Sequence, residues 1–436
     1  MDINQASDWL DAESIQRIEV LMPDLAGIGR GKLIPRDQFL DDWRGGNLRV
    51  PNSLLSLGIE GHFVETRPLG DMEEDLILEP DTSTLVVTPW GATATASIIC
   101  SASFGGQPAS FTPRDLLQRI IAAFAEHGWA PVIAPELEFF LLPVDDDDKR
   151  VKQFSPFSVD TLNHFSGLFD DIYRFAGMQN VAINTLVQEA GIGQFEINMM
   201  HDAPLTIADQ VFYFKRLARQ AAADHNLQAS FMAKPYPKDY GSAMHIHQSL
   251  VSTTSGENLF ATATEETTPL FLSYIAGLQK FLPAVMPLLA PYVNSYLRVG
   301  SDMSAPGNTH WGWDNRSTGL RIPFGGHESR RVENRVPGSD VNPYLAIAAN
   351  LACGYLGMVE QLTPSAPIKD TGYGRRSQRL PRHYLAGLDA LEKCIPLRKL
   401  FGRQFVELFV DVKESEYLTH HQALNQWEID NLLTRV

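Results

Sequence analysis

The sequence contains little cysteine, and this limits the classes of protein it can belong to. Three cysteines, Cys100, Cys353 and Cys394, stand far apart among 436 residues. An odd number at such separations provides neither a disulfide framework nor a CxxC metal site within one chain. Their expected role is packing in a reducing compartment, so we expect a cytoplasmic protein.

Basic charge is also scarce. The chain has 36 Lys and Arg residues against 52 Asp and Glu residues, a formal net charge of −16 and a pI near 5.2. A nucleic-acid-binding surface requires a basic patch, so we expect no nucleic-acid partner. With 44% hydrophobic and 20% charged residues, the composition is that of a packed globular protein.

Long uninterrupted apolar runs are missing as well. The longest apolar stretch, Leu270–Val293, carries Gln279 and Lys280 in its middle, and three prolines interrupt its second half. We predict a buried, broken helix here and no association with a membrane. The first residues are polar and acidic, without a basic segment followed by an apolar run, so no signal peptide is expected.

The first hundred residues contain short β-rich runs, Ile18–Met22, Leu85–Pro89 and Ala96–Cys100, bounded by turn-forming residues. The sequence Ser-Phe-Gly-Gly-Gln-Pro at 103–108 then predicts a linker.

A helix start follows this linker. Thr112 is the predicted N-cap, Pro113 occupies the first turn and Asp115 closes a capping box. We therefore predict an N-terminal domain at 1–110 and a larger domain at 111–436.

The remainder mixes helices and strands, which predicts an α+β fold. Helical periodicity covers Leu116–His127 and Thr206–His225, the latter with Thr206 and Asp209 as its capping pair. Strands are predicted at Pro131–Leu142, Ala243–Val251 and Arg330–Val336, and an acidic surface loop at Asp145–Asp148.

The strand Pro131–Leu142 carries two carboxylates in an apolar setting. Both alternating faces are mainly apolar, which is typical of a strand covered on both sides. Glu136 and Glu138 are two residues apart and project to the same face. A shared cation would offset the cost of burying them, whereas a twisted strand would let both reach water.

Two further segments carry polar groups at regular spacing. Two glycines separate Glu189 from Glu196, and His245, His247 and Ser249 share one strand face. The pattern at 189–196 also fits a solvated strand edge. The pattern at 245–249 also fits histidines whose hydrogen bonds are satisfied within the protein.

Arginine is concentrated late in the chain. Arg331, Glu333 and Arg335 alternate on one strand, and Arg298, Arg316 and Arg321 lie just upstream. A charge run of this kind can be a solvated surface, but arginine forks also suit phosphates and carboxylates.

Taken together, these groups indicate metal-dependent phosphoryl transfer. Five glutamates and one histidine supply the oxygen-rich ligands that Mg²⁺ or Mn²⁺ prefers, and arginines would stabilise charge on a transferred phosphoryl group. The candidate ligands are Glu136, Glu138, Glu189, Glu196, His245 and Glu333. No GxxxxGK[ST] loop or kinase signature is present, so an ATP site of another kind is required.

In this order, the motifs resemble those of the glutamine synthetase family. The matching segments are Glu136-Leu-Glu138, Glu189 to Glu196, Met244-His-Ile-His-Gln-Ser249, Asn315-Arg316 with Arg321-Ile-Pro323, Arg331-Val-Glu-Asn-Arg335 and Asn342-Pro-Tyr344. Asp24 to Lys32 is similar to the family's N-terminal β-grasp domain. The resemblance covers nearly the whole chain and implies a β-grasp domain followed by a catalytic domain with an antiparallel sheet and helices.

The resemblance implies two or three Mg²⁺ or Mn²⁺ ions per site. Glu138, Glu189 and Glu196 would hold one metal. Glu136, His245 and Glu333 would hold another, which bridges the phosphates of ATP.

It also implies roles for the other polar groups. His247, Ser249 and Arg331 would lie near the nucleotide, whereas Gly241 and Arg298 would contact glutamate. The arginines that line the phosphates and the transferred group would be Arg316, Arg321 and Arg335.

Members of the family are double-ring oligomers, so the resemblance implies a homododecamer of two stacked hexamers with sites shared between subunits. The implied reaction converts the γ-carboxylate of glutamate to an acyl phosphate with ATP. A nitrogen nucleophile then displaces phosphate after losing a proton.

The sequence departs from glutamine synthetase proper where that enzyme binds ammonium. Asn52 and Ser53 stand in the region of its Asp-Gly-Ser-Ser motif, and Ser304 stands where it has a flap glutamate. Two anionic groups are thus replaced, which leaves room for an alkyl substituent.

Segments 157–165, 194–198 and 231–235 resemble the γ-glutamylpolyamine (γ-glutamylputrescine) synthetase branch. The expected function is an ATP-dependent ligase that joins glutamate to a polyamine or another alkylamine. Gly58 replaces an Asp of that branch, which leaves the amine open. Glutamine synthetase proper, using ammonia, and a non-catalytic structural or regulatory ring are the alternatives.

Overall fold

A computed structural model describes residues 1–69, 74–144, 155–300 and 304–435. The predicted acidic loop at Asp145–Asp148 lies outside the described residues. The chain forms helices and two β-sheets, which is the mixture that an α+β fold contains.

The first sheet is built from residues 17–108. Its strands are β1 Arg17–Pro23, β2 Gly29–Pro35, β3 Arg49–Pro51, β4 Asp75–Pro80, β5 Val86–Thr88, β6 Thr95–Phe104 and β7 Gln107–Pro108. The order is β2-β1-β6-β4-β3, with β5 and β7 also paired to β6, and β1 runs parallel to β6. Helices α1 Ile3–Ala12 and α2 Arg36–Gly45 accompany this sheet.

The second sheet carries the predicted site. Its strands are β8 Trp129–Pro143, β9 Ile183–Gln188, β10 Gln194–Met199, β11 Leu227–Ser230, β12 Met244–Ser252, β13 Trp311–Trp313, β14 Leu320–Ile322 and β15 Val332–Asn334. The order is β13-β14-β15-β12-β8-β10-β9, with β11 also paired to β8, and every pair except β13–β14 is antiparallel. The predicted α+β class with a largely antiparallel catalytic sheet is confirmed.

Helices cover this second sheet and extend beyond it. They are α3 Pro113–Ala125, α4 Val159–His164, α5 Ser166–Met178, α6 Pro204–Asp224, α7 Pro269–Leu289, α8 Ser295–Arg298, α9 Pro343–Val359, α10 Tyr384–Lys393, α11 Ile395–Phe401, α12 Arg403–Gln422 and α13 Gln426–Leu432. Helices α6, α7 and α9 contribute many of the fully buried apolar side chains of the core.

Three local predictions about a linker and helix caps are wrong. The segment at 103–108 is a β-hairpin between β6 and β7, because two glycines with positive φ form its turn. Helix α6 begins at Pro204 with Ala203 as N-cap, so Thr206 and Asp209 do not cap it. Thr112 does cap α3, but the Asp115 carboxylate accepts from the Thr112 hydroxyl rather than from its backbone amide.

Helix α7 runs unbroken through Pro283 and Pro287 as far as Leu289, contrary to the predicted break. Each proline removes one helical hydrogen bond, and burial in the core compensates for that loss. By length and composition this helix could cross a membrane, but 78% of its most apolar stretch is buried inside the protein. A core helix therefore accounts for the apolar run.

Glycines allow α7 and α9 to approach closely. A Cβ atom at Gly277 would lie 2.1 Å from the Cys353 carbonyl oxygen, and one at Gly357 would lie 2.2 Å from the Ser273 carbonyl oxygen. Backbone therefore contacts backbone at this crossing, and no larger side chain fits there.

Candidate active site

Strand register brings the acidic and histidine residues together on the second sheet. Residues directly opposite in adjacent strands project to the same face. The paired positions are Glu138 with Glu196, Glu136 with His245, His247 with Glu333 and Arg321 with Glu333. A continuous row of ionisable side chains thus crosses from β10 through β8, β12 and β15 to β14.

Two histidines flank Glu136. Nε2 of His247 lies 2.9 Å from one Glu136 carboxylate oxygen, and Nδ1 of His245 lies 3.2 Å from the other. Burial acts to raise the pKa of Glu136, but these contacts outweigh it and hold that pKa well below its usual range. Burial lowers the pKa of His245 to about 4, and Arg335 acts in the same direction. His245 is therefore neutral at pH 7 and offers a nitrogen lone pair.

Glu333 is fully buried and is held by two arginines. Nη1 of Arg335 donates to Oε1 of Glu333 at 2.6 Å, and Nη1 of Arg321 donates to Oε2 at 2.7 Å. Burial acts to raise the pKa of Glu333, but Arg335 and the two histidines lower it to about 2. The carboxylate is thus ionised and fixed in position.

The other three carboxyl groups behave in the opposite way. Burial raises the pKa of Glu138, Glu189 and Glu196, and repulsion among neighbouring carboxylates adds to the effect. Glu138 accepts hydrogen bonds from the Ala243 amide at 2.8 Å and from Gln194 at 2.9 Å. A cluster of acids that resists ionisation in this way is the environment that a divalent cation would neutralise.

The donor set fits a hard divalent cation. Among the described residues, two groups place one ligand atom from each member within 4.8 Å of the others: Glu136, His247 and Glu333, and Glu136, Glu196 and His245. Carboxylate-rich sets with one imidazole suit Mg²⁺ or Mn²⁺ better than Zn²⁺. Neither grouping reproduces a ligand set that the family resemblance implies, because the first has His247 in place of His245 and the second has Glu196 in place of Glu333. Glu136 belongs to both groupings.

Of the remaining predicted arginines, Arg331 reaches the cluster, and Arg335 makes a further contact beyond Glu333. Nε of Arg331 donates to Nδ1 of His247 at 3.2 Å, and Nη2 of Arg335 donates to the Ser304 carbonyl at 3.5 Å. Arg316 is exposed, and its charge opposes the rise that burial causes in the pKa of Glu189. Positive charge therefore borders the acidic row on the side of β14 and β15.

Arg298 is buried beside Gly241. Its guanidinium donates to the carbonyl oxygens of Val336 at 2.8 Å and Arg335 at 3.2 Å. A Cβ atom at Gly241 would lie 2.8 Å from Cγ of Arg298, so glycine is required for this contact. The Gly241 carbonyl also accepts from Gln194, which joins the pair to Glu138.

Three predicted residues make their described contacts elsewhere. The amide of Asn52 donates to the Glu74 carbonyl at 2.8 Å, and the carbonyl of Ser53 accepts from Ser56, all within the N-terminal region. The Ser249 hydroxyl donates to the Arg330 carbonyl at 2.9 Å. Within the part of the chain that the structure describes, the Asn52 contact does not lead to the acidic row.

A supporting network, which was not predicted from the sequence, lies on the opposite face of the sheet. Asn350 accepts from Gln248 at 3.0 Å and from Asn334 at 2.7 Å, and the Tyr274 hydroxyl donates to Gln248 at 2.6 Å. Gln248 and Asn334 directly follow His247 and Glu333, so strand alternation was the signal that could have revealed them. A satisfied buried network of this kind fixes the two strands that carry the site. Asp314, which binds Arg321 at 2.5 Å, was also missed.

The fold and the site define a class of enzyme in which an antiparallel sheet presents a carboxylate and histidine row beside arginines. Residues 110–432 match the family model described as the glutamine synthetase catalytic domain. The chain belongs to the glutamine synthetase family, which confirms the resemblance seen in its motifs.

Characterised relatives extend over almost the whole chain. Gamma-glutamylputrescine synthetase of Escherichia coli is 35% identical over 96% of this chain and 92% of its own length. Glutamate–isopropylamine ligase of a Pseudomonas species is 30% identical over 99% of this chain and 98% of its own length. The structure described as apo GmaS without ligand superposes with a TM-score of 0.86 at 27% identity, covering 98% of each chain.

Proposed function

We propose that the protein is an ATP-dependent ligase that joins the γ-carboxylate of glutamate to the nitrogen of an alkylamine. The observation that carries this proposal is the buried row in which ionised Glu333 contacts two arginines while Glu138 and Glu196 resist ionisation. Such a row suits divalent metal and phosphate together. The two relatives named for amine ligation, at 35% and 30% identity, support the same reaction class.

In this proposal the cations are Mg²⁺ or Mn²⁺, two or three per site. Glu138, Glu189 and Glu196 would hold one cation, and Glu136, His245 and Glu333 another. Their chemistry when bound is to neutralise phosphate oxygens of ATP. The lone pair on neutral His245 and the fixed charge of Glu333 support this assignment.

The remaining polar groups would bind the substrates. His247, Ser249 and Arg331 would face the nucleotide, and the contact of Arg331 with His247 supports their common role. Arg316, Arg321 and Arg335 would stabilise the transferred phosphoryl group, where preorganised positive charge is most effective. Gly241 and Arg298 would hold glutamate.

The reaction proceeds in two steps. An oxygen of the glutamate γ-carboxylate attacks the γ-phosphorus of ATP, and the bond to the β,γ-bridging oxygen breaks, so ADP leaves and γ-glutamyl phosphate forms. The deprotonated amine then attacks the γ-carbonyl carbon, and phosphate leaves with the electron pair of the C–O bond. Most amines are protonated at neutral pH, so a proton must be removed before attack.

The amine pocket distinguishes this proposal from ammonia-dependent glutamine synthesis. The region of Asn52 and Ser53 and the position of Ser304 are uncharged, whereas glutamine synthetase proper carries one anionic group at each, and this difference weakens retention of a small cation. The decisive assay measures phosphate release with glutamate and ATP against ammonium, putrescine, spermidine, cadaverine and ethanolamine. Ammonium as the substrate with the highest kcat/KM would replace the proposal with glutamine synthetase proper.

A non-catalytic ring is the remaining alternative. It predicts no glutamate-dependent phosphate release with any amine, although an assembled oligomer would still form.

We further propose a homododecamer of two stacked hexamers with shared sites, a cytoplasmic location and a domain boundary near residue 110. The change from the first sheet to the second between Pro108 and Trp129 supports that boundary.

A further inference from the structure

A second positively charged region lies outside the acidic row. The segment from Gly374 to Arg382 contains four arginines in nine residues and no acidic residue, in a chain whose net charge is −16. Three of the four, Arg375, Arg379 and Arg382, line one cavity of about 340 Å³. The fourth, Arg376, is exposed and is not part of that lining.

The cavity adjoins the predicted glutamate-binding residue. Val299 and Gly300, which line it, directly follow the buried Arg298. Gly307 also lines it, and the lining contains no Asp or Glu among the residues that the structure describes. An anion in this cavity would therefore lie next to the backbone segment that directly follows Arg298.

Backbone contacts hold the arginine segment against the residues that follow Ser304. The Thr309 amide donates to the Gln378 carbonyl at 2.8 Å, and the Leu380 amide donates to the Gly307 carbonyl at 3.2 Å. The position of Arg379 is thus fixed relative to Gly307, with Asn308 and Arg379 forming an isolated β-bridge.

The three guanidinium groups differ in their partners. Arg375 is paired with the Asp370 carboxylate. Nε of Arg379 donates to the Arg375 carbonyl at 2.8 Å, whereas its terminal nitrogens and the whole Arg382 guanidinium have no hydrogen-bond partner among the described residues. Two arginine forks are therefore available to a carboxylate or phosphate.

We propose that this arginine pocket binds a carboxylate of glutamate before the substrate reaches Arg298, an assignment that rests on the proposed function. Converging positive charge at the mouth of a site raises the local concentration of an anionic substrate and its rate of association. In a chain of net charge −16, which would otherwise repel a glutamate anion, such a pocket has a clear physical use.

The test compares the Arg379→Gln, Arg382→Gln double variant with Arg376→Gln, which removes an exposed charge of the same segment. At low ionic strength the double variant should lower kcat/KM for glutamate at least about threefold, with kcat and the KM values for ATP and amine unchanged. The loss should shrink as ionic strength rises from about 0.01 to 0.15 M, since the Debye length falls from about 30 to 8 Å. An equal loss in Arg376→Gln, or a loss independent of salt, would overturn the assignment.

Inhibition by inorganic phosphate tests whether the pocket binds phosphate rather than the carboxylate of glutamate. If the double variant loses inhibition by phosphate but keeps its kcat/KM for glutamate, the pocket binds phosphate and the assignment is wrong.

Thermal unfolding with glutamate alone separates this proposal from the proposed function. A glutamate-induced rise in Tm that the double variant loses supports the pocket even if no amine turns over, whereas an unchanged rise contradicts it.

Discussion

Glu138 on β8 and Glu196 on β10 lie directly opposite each other in an antiparallel pair, and burial raises the pKa of both carboxyl groups. In metal-free protein this pair should lower the free energy of unfolding as pH rises above about 4.3, the ordinary glutamate value. The sign follows because the unfolded chain then binds fewer protons than the folded one. Mg²⁺ or Mn²⁺ should oppose the trend, since it favours the ionised carboxylates.

The measurement is Tm from about pH 5 to pH 8 with EDTA and with Mg²⁺. Glu196→Gln should flatten the fall of Tm with pH in EDTA and reduce the gain from Mg²⁺. Glu266→Gln, an exposed substitution of the same kind, should follow wild type in both series. A wild-type Tm whose response to Mg²⁺ is the same at both ends of this range would refute the prediction.

Glu333 provides the test of catalysis. Glu333→Gln removes the charge that faces Arg321 and Arg335 and leaves both guanidinium groups without their buried ionic partner. Turnover should fall about 100-fold or more, in keeping with the loss of a metal ligand and of its surroundings. Steady-state phosphate release measures this, with Glu328→Gln as the exposed control on the preceding 3-10 turn. Near wild-type turnover in Glu333→Gln would show that the row is not the active site.

Arg114 should be a strong determinant of stability. Only 2% of its side chain is exposed, and it donates to Asp209 at 3.1 and 2.9 Å and to Asp81 at 2.6 Å. Arg114→Ala leaves a buried carboxylate unpaired, which costs about 3–5 kcal/mol. Urea denaturation followed by circular dichroism measures that loss.

The matched control is Arg403→Ala. Arg403 is 79% exposed and pairs with Glu407 four residues along α12. Loss of such a surface pair should change the free energy of unfolding by about 0.5 kcal/mol or less. Equal losses in the two variants would mean that burial of the Arg114 pairs is unimportant.

Amine selectivity should respond to restored negative charge. In the Asn52→Asp, Ser304→Glu double variant, the ratio of kcat/KM for ammonium to that for the best alkylamine should rise about tenfold, or about 1.4 kcal/mol. Asn52→Ser with Ser304→Gln is the uncharged control. A ratio that moves equally in both variants would attribute selectivity to shape rather than to charge.

The acidic row could be predicted because side chains along a strand alternate between the two faces of the sheet with a period of two residues. Glu136 with Glu138, and His245 with His247, had to share a face once their strands were recognised. The pairing of β8 with β10 and β12 is tertiary information, and the cost of burying isolated carboxylates left two explanations open from sequence, a shared cation or a twisted strand that reaches water.

Contacts between distant segments were not predictable from local patterns. Asp209 fits the spacing of a helix cap, but the carboxylate is buried because Arg114 and Tyr344 bind it. Arg67 likewise binds Asp411, which is 344 residues away. No periodicity encodes such a pair, because each residue alone looks like an ordinary surface charge.

The register of the second sheet also determines which changes of chain length the protein can accept. Inserting one residue within β8 between Ala134 and Glu138 would move the glutamates beyond it to the opposite side of the sheet relative to Ile133 and the residues before it. An insertion in the turn at 253–256 would leave every ligand in place, because that turn lies beyond the end of β12. Insertions and deletions compatible with activity should therefore be confined to the connections, and the spacing of the ligands within each strand should be the least variable length in the molecule.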